Sequence, residues 1–165
     1  MSGYHTAQVN VGHMRGGDPQ VAGFYAELDR IDELADSSPG FVWRLVGEGR
    51  DANDLRPTPD PYFQTNMTVW TDADALFNYV YRTAHVGVMA GRREWFGRMD
   101  GAHQALWWLE EDDLPTVSDA LSKLWLLDNF GPSEQALTFD IRFPMPGSLG
   151  PYVDMQPEPW CIGRA

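Results

Sequence analysis

A chain of 165 residues suits one ordinary domain, and 43% hydrophobic with 22% charged residues describes a chain that buries a core rather than staying disordered. Twenty-four acidic against twelve basic residues leave a formal charge of −12, which repels phosphate backbones and anionic lipid, so no nucleic acid and no membrane are expected as partners. The single cysteine, Cys161, closes no internal disulfide, residues 1–12 carry no leader-like basic and apolar run, and no stretch approaches the ~18 apolar residues of a membrane span, so a cytoplasmic protein is expected.

Residues 4–14 alternate, with His5, Ala7, Val9 and Val11 on one side and Thr6, Gln8, Asn10 and Gly12 on the other, which predicts a strand. Asp18-Pro19 opens a helix in which Val21, Phe24, Tyr25, Leu28, Ile31, Leu34 and Ala35 recur at steps of three and four; Ser37, Ser38, Pro39 and Gly40 stop it. A second strand is predicted over residues 41–46 and a third over 62–70, separated by an acidic, proline-broken loop at 47–61. Thr71-Asp72 caps a second helix, and a further helical segment is expected near residues 88–96. Residues 102–109 read as a fourth strand. Pro115 or Thr116 starts a third helix that ends at Gly131-Pro132, and residues 136–143 read as a short last strand. The proline-rich stretch 144–165 forms a tail, extended or mobile, beyond a domain of residues 1–143.

The order β-α-β-β-α-β followed by α-β is the ferredoxin-like arrangement with an addition, an α+β fold. One sheet face would carry Ala7, Val9, Val11, Val42, Val46, Met67, Val69, Ala105 and Trp107; the other would carry Trp43, Leu45, Trp70, Leu106 and Trp108 among Gln8, Asn10, Asn66 and Thr68. Neither is a clean polar face, so a second copy packed sheet to sheet, a homodimer, is expected.

Eight segments occur in order: Ala7-Gln8-Val9-Asn10-Val11, Ser38-Pro39-Gly40-Phe41-Val42-Trp43-Arg44-Leu45, Asn66-Met67-Thr68-Val69-Trp70, Tyr81-Arg82-Thr83-Ala84-His85, Arg92-Arg93-Glu94-Trp95-Phe96, Ala105-Leu106-Trp107-Trp108, Pro115-Thr116 and Gly131-Pro132-Ser133. Together, over residues 4–139, they resemble domain-of-unknown-function family 3291, placed near the antibiotic-biosynthesis monooxygenases. The resemblance implies a dimeric α+β barrel and no particular reaction. Relatives in the wider superfamily work on aromatic polyketides, haem or small organic acids, which by analogy implies a pocket between sheet and helices.

His85 is the leading chemical candidate, because an imidazole titrating near neutrality can give or take a proton; the structural alternative is a histidine bonded to a nearby carbonyl. Asn10 and Gln8 share a strand face with no charge beside them, and buried amides are costly unless paired, so a pocket wall explains them better than a packed core does. Asn10 could stabilise an oxyanion, with Asn66 and Thr68 beside it across the sheet; strand-edge hydrogen bonding is the structural reading of that pair. Trp43, Trp70 and Trp108 would give this face indole surfaces for a flat apolar ligand, although most tryptophans fill a core. Arg92 and Arg93 could hold a carboxylate or enolate, or, as consecutive arginines more often do, pair with surface acids such as the adjacent Glu94.

Zinc-type Cys/His spacing, a glycine-rich phosphate loop, a nucleotide fingerprint and a G-x-S-x-G elbow are absent, and His5 and His13 stand too far apart on one strand to share a metal. No metal and no cofactor are expected; haem through His85 stays open as an alternative. The functional expectation is a cofactor-independent enzyme of natural-product biosynthesis, performing acid–base dehydration or cyclisation on a small apolar, polyketide-like organic substrate. His85, Asn10 and Arg92 would be catalytic, and Gln8, Trp43, Asn66, Thr68, Trp70, Trp108 and Arg82 would bind substrate. A cofactor-free monooxygenase and a non-catalytic binder of an apolar metabolite are the alternatives.

Overall fold

Alternation of apolar and polar side chains makes β1 (Tyr4–His13) a strand that shows different chemistry on each side, and the fold gives each side its own cover. The computed structural model describes residues 3–15, 18–46, 59–60, 62–83, 87, 95–150 and 153–154. After β1 come α1 (Asp18–Asp36), β2 (Phe41–Arg44), β3 (Phe63–Trp70), α2 (Ala73–Arg82), β4 (Gln104–Glu110), α3 (Val117–Phe130), β5 (Ile141–Arg142) and β6 (Val153–Asp154). The first four strands form an antiparallel sheet in the order β2-β3-β1-β4, the order of a ferredoxin-like α+β fold. Residues 88–94 of the helical segment expected near 88–96, and most of the 47–61 loop, lie outside the described residues.

Local chemistry sets the helix ends. Asp72 caps α2 by accepting a hydrogen bond from the Ala75 backbone N–H at 2.8 Å. Thr116 and Asp119 close a reciprocal capping box on α3, and the Thr116 hydroxyl and N–H hold the Asp119 carboxyl below its usual range. Gly131, at φ 73°, ends α3 in a conformation that L side chains rarely adopt.

The apolar side of β1 meets α3. Ala7, Val9 and Val11 stand beside Met67, Val69, Ala105 and Trp107, and Ala120 and Leu124 of α3 close over them. Val9 and Met67 are 0% exposed, Val69 1% and Trp107 3% within one chain. This corrects the expectation that the face waits for a partner sheet. The third helix returns across it, because its inward residues repeat at the spacing needed to seat on a flat apolar surface. The other side of β1 faces α1 and α2, where Ile31, Ala35, Leu76, Tyr79 and Val80 pack with Trp70, Leu106, Leu137 and Phe139.

Two further details depart from simple periodicity. The β2–β3 register shifts between Phe41 and Trp43, so Trp43 and Leu45 join the α3 side rather than the amide-bearing side. A bulge adds one residue and so reverses which face every later side chain takes. Nor do residues 136–143 form one strand. Leu137 makes a two-bond bridge to Leu106, a turn at Thr138–Ile141 intervenes, and β5 then pairs with β6 from the proline-rich stretch.

Leu124, 6% exposed, is the side chain by which α3 holds the sheet. Leu124→Ala should lower the unfolding free energy by about 2–4 kcal/mol with an unchanged denaturant slope, measured by urea titration.

Candidate functional site

Side chains on the α1/α2 side of the sheet fall into rows set by strand register. Asn66, Asn10 and Gln104 stand side by side on β3, β1 and β4; the next row is Thr68, Gln8 and Leu106, and the one after it Trp70, Thr6 and Trp108. The middle row is tied together. Trp70 Nε1 donates to Thr68 Oγ1 at 2.9 Å, and the Thr68 hydroxyl donates to Gln8 Oε1 at 2.9 Å. Gln8, its oxygen held there, also lines a cavity. The first row is untied: among the described residues, the side chains of Asn10, Asn66 and Gln104 form no hydrogen bond.

These amides line a cavity of about 20 Å³ closed from above by Asp32 and Ala35 of α1 and by Leu76, Tyr79 and Val80 of α2. That space admits about one water molecule, or a single oxygen-bearing group of a ligand. The Tyr79 ring stacks on Trp70 at 4.8 Å and its hydroxyl donates to the Ile31 carbonyl. Burial, ahead of the nearby Asp32 and Asp36 charges, pushes the Tyr79 pKa well up, so the phenol stays neutral. On the far side of Tyr79 lies an open groove of about 550 Å³, lined by Gly40, Asp72, Asn78 and Arg82 among others. Gly40 has φ 82°, and a Cβ there would stand 2.5 Å from the Ala75 Cβ, so this close approach of β2 to α2 needs glycine.

Among the described residues that line the cavity, Asp32 is the one carboxylic acid. Its Oδ2 accepts from Arg44 Nη1 at 3.0 Å. Burial raises its pKa above the ordinary carboxylate value, Arg44 opposes this, and Asp36 and Asp29 add to it. Arg44 gives most of its grip to Asp36, through Nε at 2.8 Å and Nη2 at 3.3 Å, and that bond is the first cause of its own raised pKa. Asp32 thus gains less from the guanidinium than it loses to desolvation.

Of the residues nominated from sequence, Gln8, Asn10, Asn66 and Thr68 line this one cavity. Arg82 lines the outer groove instead. Trp70 is fully buried as a hydrogen-bond donor and ring partner, and Trp108 donates from Nε1 to the Phe143 carbonyl at 3.3 Å. Trp43 lies on the opposite face because of the bulge. His85 and Arg92 lie outside the described residues. Sequence reasoning passed over Asp32, Gln104 and Tyr79. The available signal was an acid next to Ile31 on the buried stripe of α1, where an apolar or neutral residue would pack at less cost.

A model of the family described as Domain of unknown function (DUF3291) matches residues 5–150. Among solved structures, SnoaB, a cofactor-independent oxygenase from Streptomyces nogalater, is similar at 20% identity over 67% of this chain and 97% of that one, with a TM-score of 0.46. NE2512, a protein of unknown function from Nitrosomonas europaea, is similar at 12% identity over 68% of this chain and 96% of that one, with a TM-score of 0.46. No curated protein matches. Likeness at this level carries no reaction across. Among the described residues no helix is long and apolar enough to cross a membrane.

Thr68 is the link that both the Trp70 indole and the Gln8 amide use. Thr68→Val should leave two buried polar groups unpaired and cost about 1–3 kcal/mol in thermal or chemical unfolding; a loss near zero would mean that the chain of bonds does not hold the site.

Proposed function

We propose that this chain, which belongs to the family Domain of unknown function (DUF3291), is an enzyme that moves protons on a small organic substrate, in a reaction of the dehydration or cyclisation type. The observation that carries the reading is the untied row of Asn10, Asn66 and Gln104 beside the fixed Gln8 amide, all lining one small cavity. Asn10, Asn66 and Gln104 are half-buried, and amides left open on a cavity wall can donate to an oxygen on which negative charge develops. The cavity has room for one carbonyl or hydroxyl oxygen, so the body of the substrate lies outside it; the groove across Tyr79 is of ligand size.

In this reading Asn10 is the central oxyanion donor, since it stands between Asn66 and Gln104 on the middle strand of the row. Arg92 and His85 keep the anion-binding and proton-carrying roles suggested by their chemistry. The apolar, polyketide-like substrate expected from sequence enters the proposal as a carbonyl-bearing molecule. The polar lining of the groove, with Asp72, Asn78 and Arg82, favours one that carries hydroxyl groups as well. Pairing of two chains stays part of the proposal. The apolar surface for it would be the exposed Leu121, Trp125 and Phe130 of α3, since the sheet beneath is already sealed.

A minimal probe is 4-hydroxy-2-butanone, whose dehydration to methyl vinyl ketone is followed by ultraviolet absorbance. The wild-type chain should accelerate it, and Asn10→Ala should lower the catalysed rate by about 100-fold or more with folding unchanged by circular dichroism. Saturable binding of the probe with no conversion would replace the enzyme with a carrier. Sedimentation should give twice the 18.6 kDa chain mass if the pairing is correct, and a single chain mass at every concentration would remove it.

A further inference from the structure

A carboxylate on the inner side of a packed helix has to be explained. Asp32 follows the buried Ile31 and precedes the buried Ala35 on α1, and its side chain is only 26% exposed. Holding Arg44 does not require it, because Asp36 already engages two nitrogens of that guanidinium. Only Oδ2 of Asp32 is committed, to Arg44 Nη1. Among the described residues, Oδ1 accepts no hydrogen bond, and the side chain lines the cavity opposite Gln8, Asn10, Asn66 and Gln104. The strands thus contribute neutral amides, α2 contributes the neutral Tyr79, and among the described residues the charges acting on Asp32 come from α1 and β2: Asp29, Asp36 and Arg44. One carboxylate oxygen is fixed by an arginine, the other is free, and oxyanion donors face it across a space of one ligand atom. Such a geometry suits removal of a proton from carbon beside a polarised carbonyl.

We propose that Asp32 is the general base of this cavity, and that its substrates are β-hydroxy carbonyl compounds whose carbonyl oxygen sits among the Gln8, Asn10 and Asn66 amides. The inference rests on the reading of the chain as a proton-moving enzyme and assigns the proton transfer in this cavity to Asp32 in place of His85. In the step, Asp32 Oδ1 takes the proton from the carbon between carbonyl and carbinol. The C–H electron pair becomes the C=C bond of an enolate, whose oxygen the amides hold. The enolate then re-forms the carbonyl and expels the β-hydroxyl, which leaves as water with the proton that Asp32 returns. The products are an enone and water, the carboxylate is restored, and no oxidant or reductant enters. Arg44 is a positioning residue, which orients the carboxylate and favours its ionised form.

The test uses the full chain with 4-hydroxy-2-butanone in deuterated water, reading deuterium at the carbon between the two functional groups by NMR and methyl vinyl ketone by absorbance. Asp32→Asn should lose about 100-fold or more of both signals while binding the probe as the wild type does. The burial that lifts the Asp32 pKa is relieved in the amide, so this variant should melt no lower than the wild type. Since the base is the ionised form, the wild-type exchange rate should climb as pH rises through the Asp32 pKa. Arg44→Met removes a cation that lowers this pKa and should move the climb to higher pH. If Asn10→Ala abolishes exchange while Asp32→Asn keeps it within a few-fold, Asp32 is not the base although the enzyme reading stands. A wild-type chain that neither exchanges nor dehydrates the probe removes both. Should Asp32→Asn fail to fold, the pH shift in Arg44→Met decides: an unmoved profile overturns the assignment.

Discussion

The position of β1, hydrogen-bonded on both edges at the centre of the sheet, is the constraint on which the rest depends. Pairing with β3 and β4 at once leaves its side chains no choice of neighbour. Val9 must stand between Met67 and Ala105, and one residue later Asn10 must stand between Asn66 and Gln104. The same backbone ladder therefore builds an apolar core for α3 and a row of amides for the cavity. Site and core cannot slip separately, because a one-residue shift of β1 would exchange them.

The polar face divides into a part that is satisfied and a part that is not. Trp70, Thr68 and Gln8 form a chain of buried donors and acceptors, and Trp70 is further held by the stacked Tyr79 and the edge-on Phe41. Groups bonded in this way have one geometry, so they orient whatever lies next to them. Beside them, the half-buried Asn10, Asn66 and Gln104 form no side-chain hydrogen bond among the described residues. Rigid groups next to open ones give a site that is organised before its ligand arrives, which is the condition for stabilising charge in a transition state rather than in a ground state.

The charges above the cavity follow a related logic. Arg44 leaves β2 on the amide side and meets α1 where Asp32 and Asp36 lie one turn apart. One guanidinium cannot compensate two carboxylates equally, and the better bonded Asp36 takes the larger share. Desolvation then dominates at Asp32, whose carboxyl takes up protons more readily than a free one. The bulge that places Arg44 here is the same one that sends Trp43 to the opposite face, so a single extra residue supplies a cation to one side and an indole to the other.

Much of this was legible in the amino-acid order. Period-two alternation marked β1, and Asp72, Thr116 and Gly131 marked helix ends, because such signals act through neighbours a few residues away. The amides Gln8, Asn10 and Asn66 and the hydroxyl of Thr68 could be assigned to one face for the same reason, and they do converge on one cavity. Three things were decided only by tertiary structure. The return of α3 over the Val9 and Met67 face depends on where the chain goes after β4, and periodicity does not encode the direction of a connection. The reversal at Trp43 depends on one inserted residue that leaves the local alternation of β2 looking regular. Asp32 reads on the helix as one acid among several; only the approach of α1 to the sheet deprives it of water and sets it opposite the amides, and desolvation is a property of the packed molecule rather than of the residue.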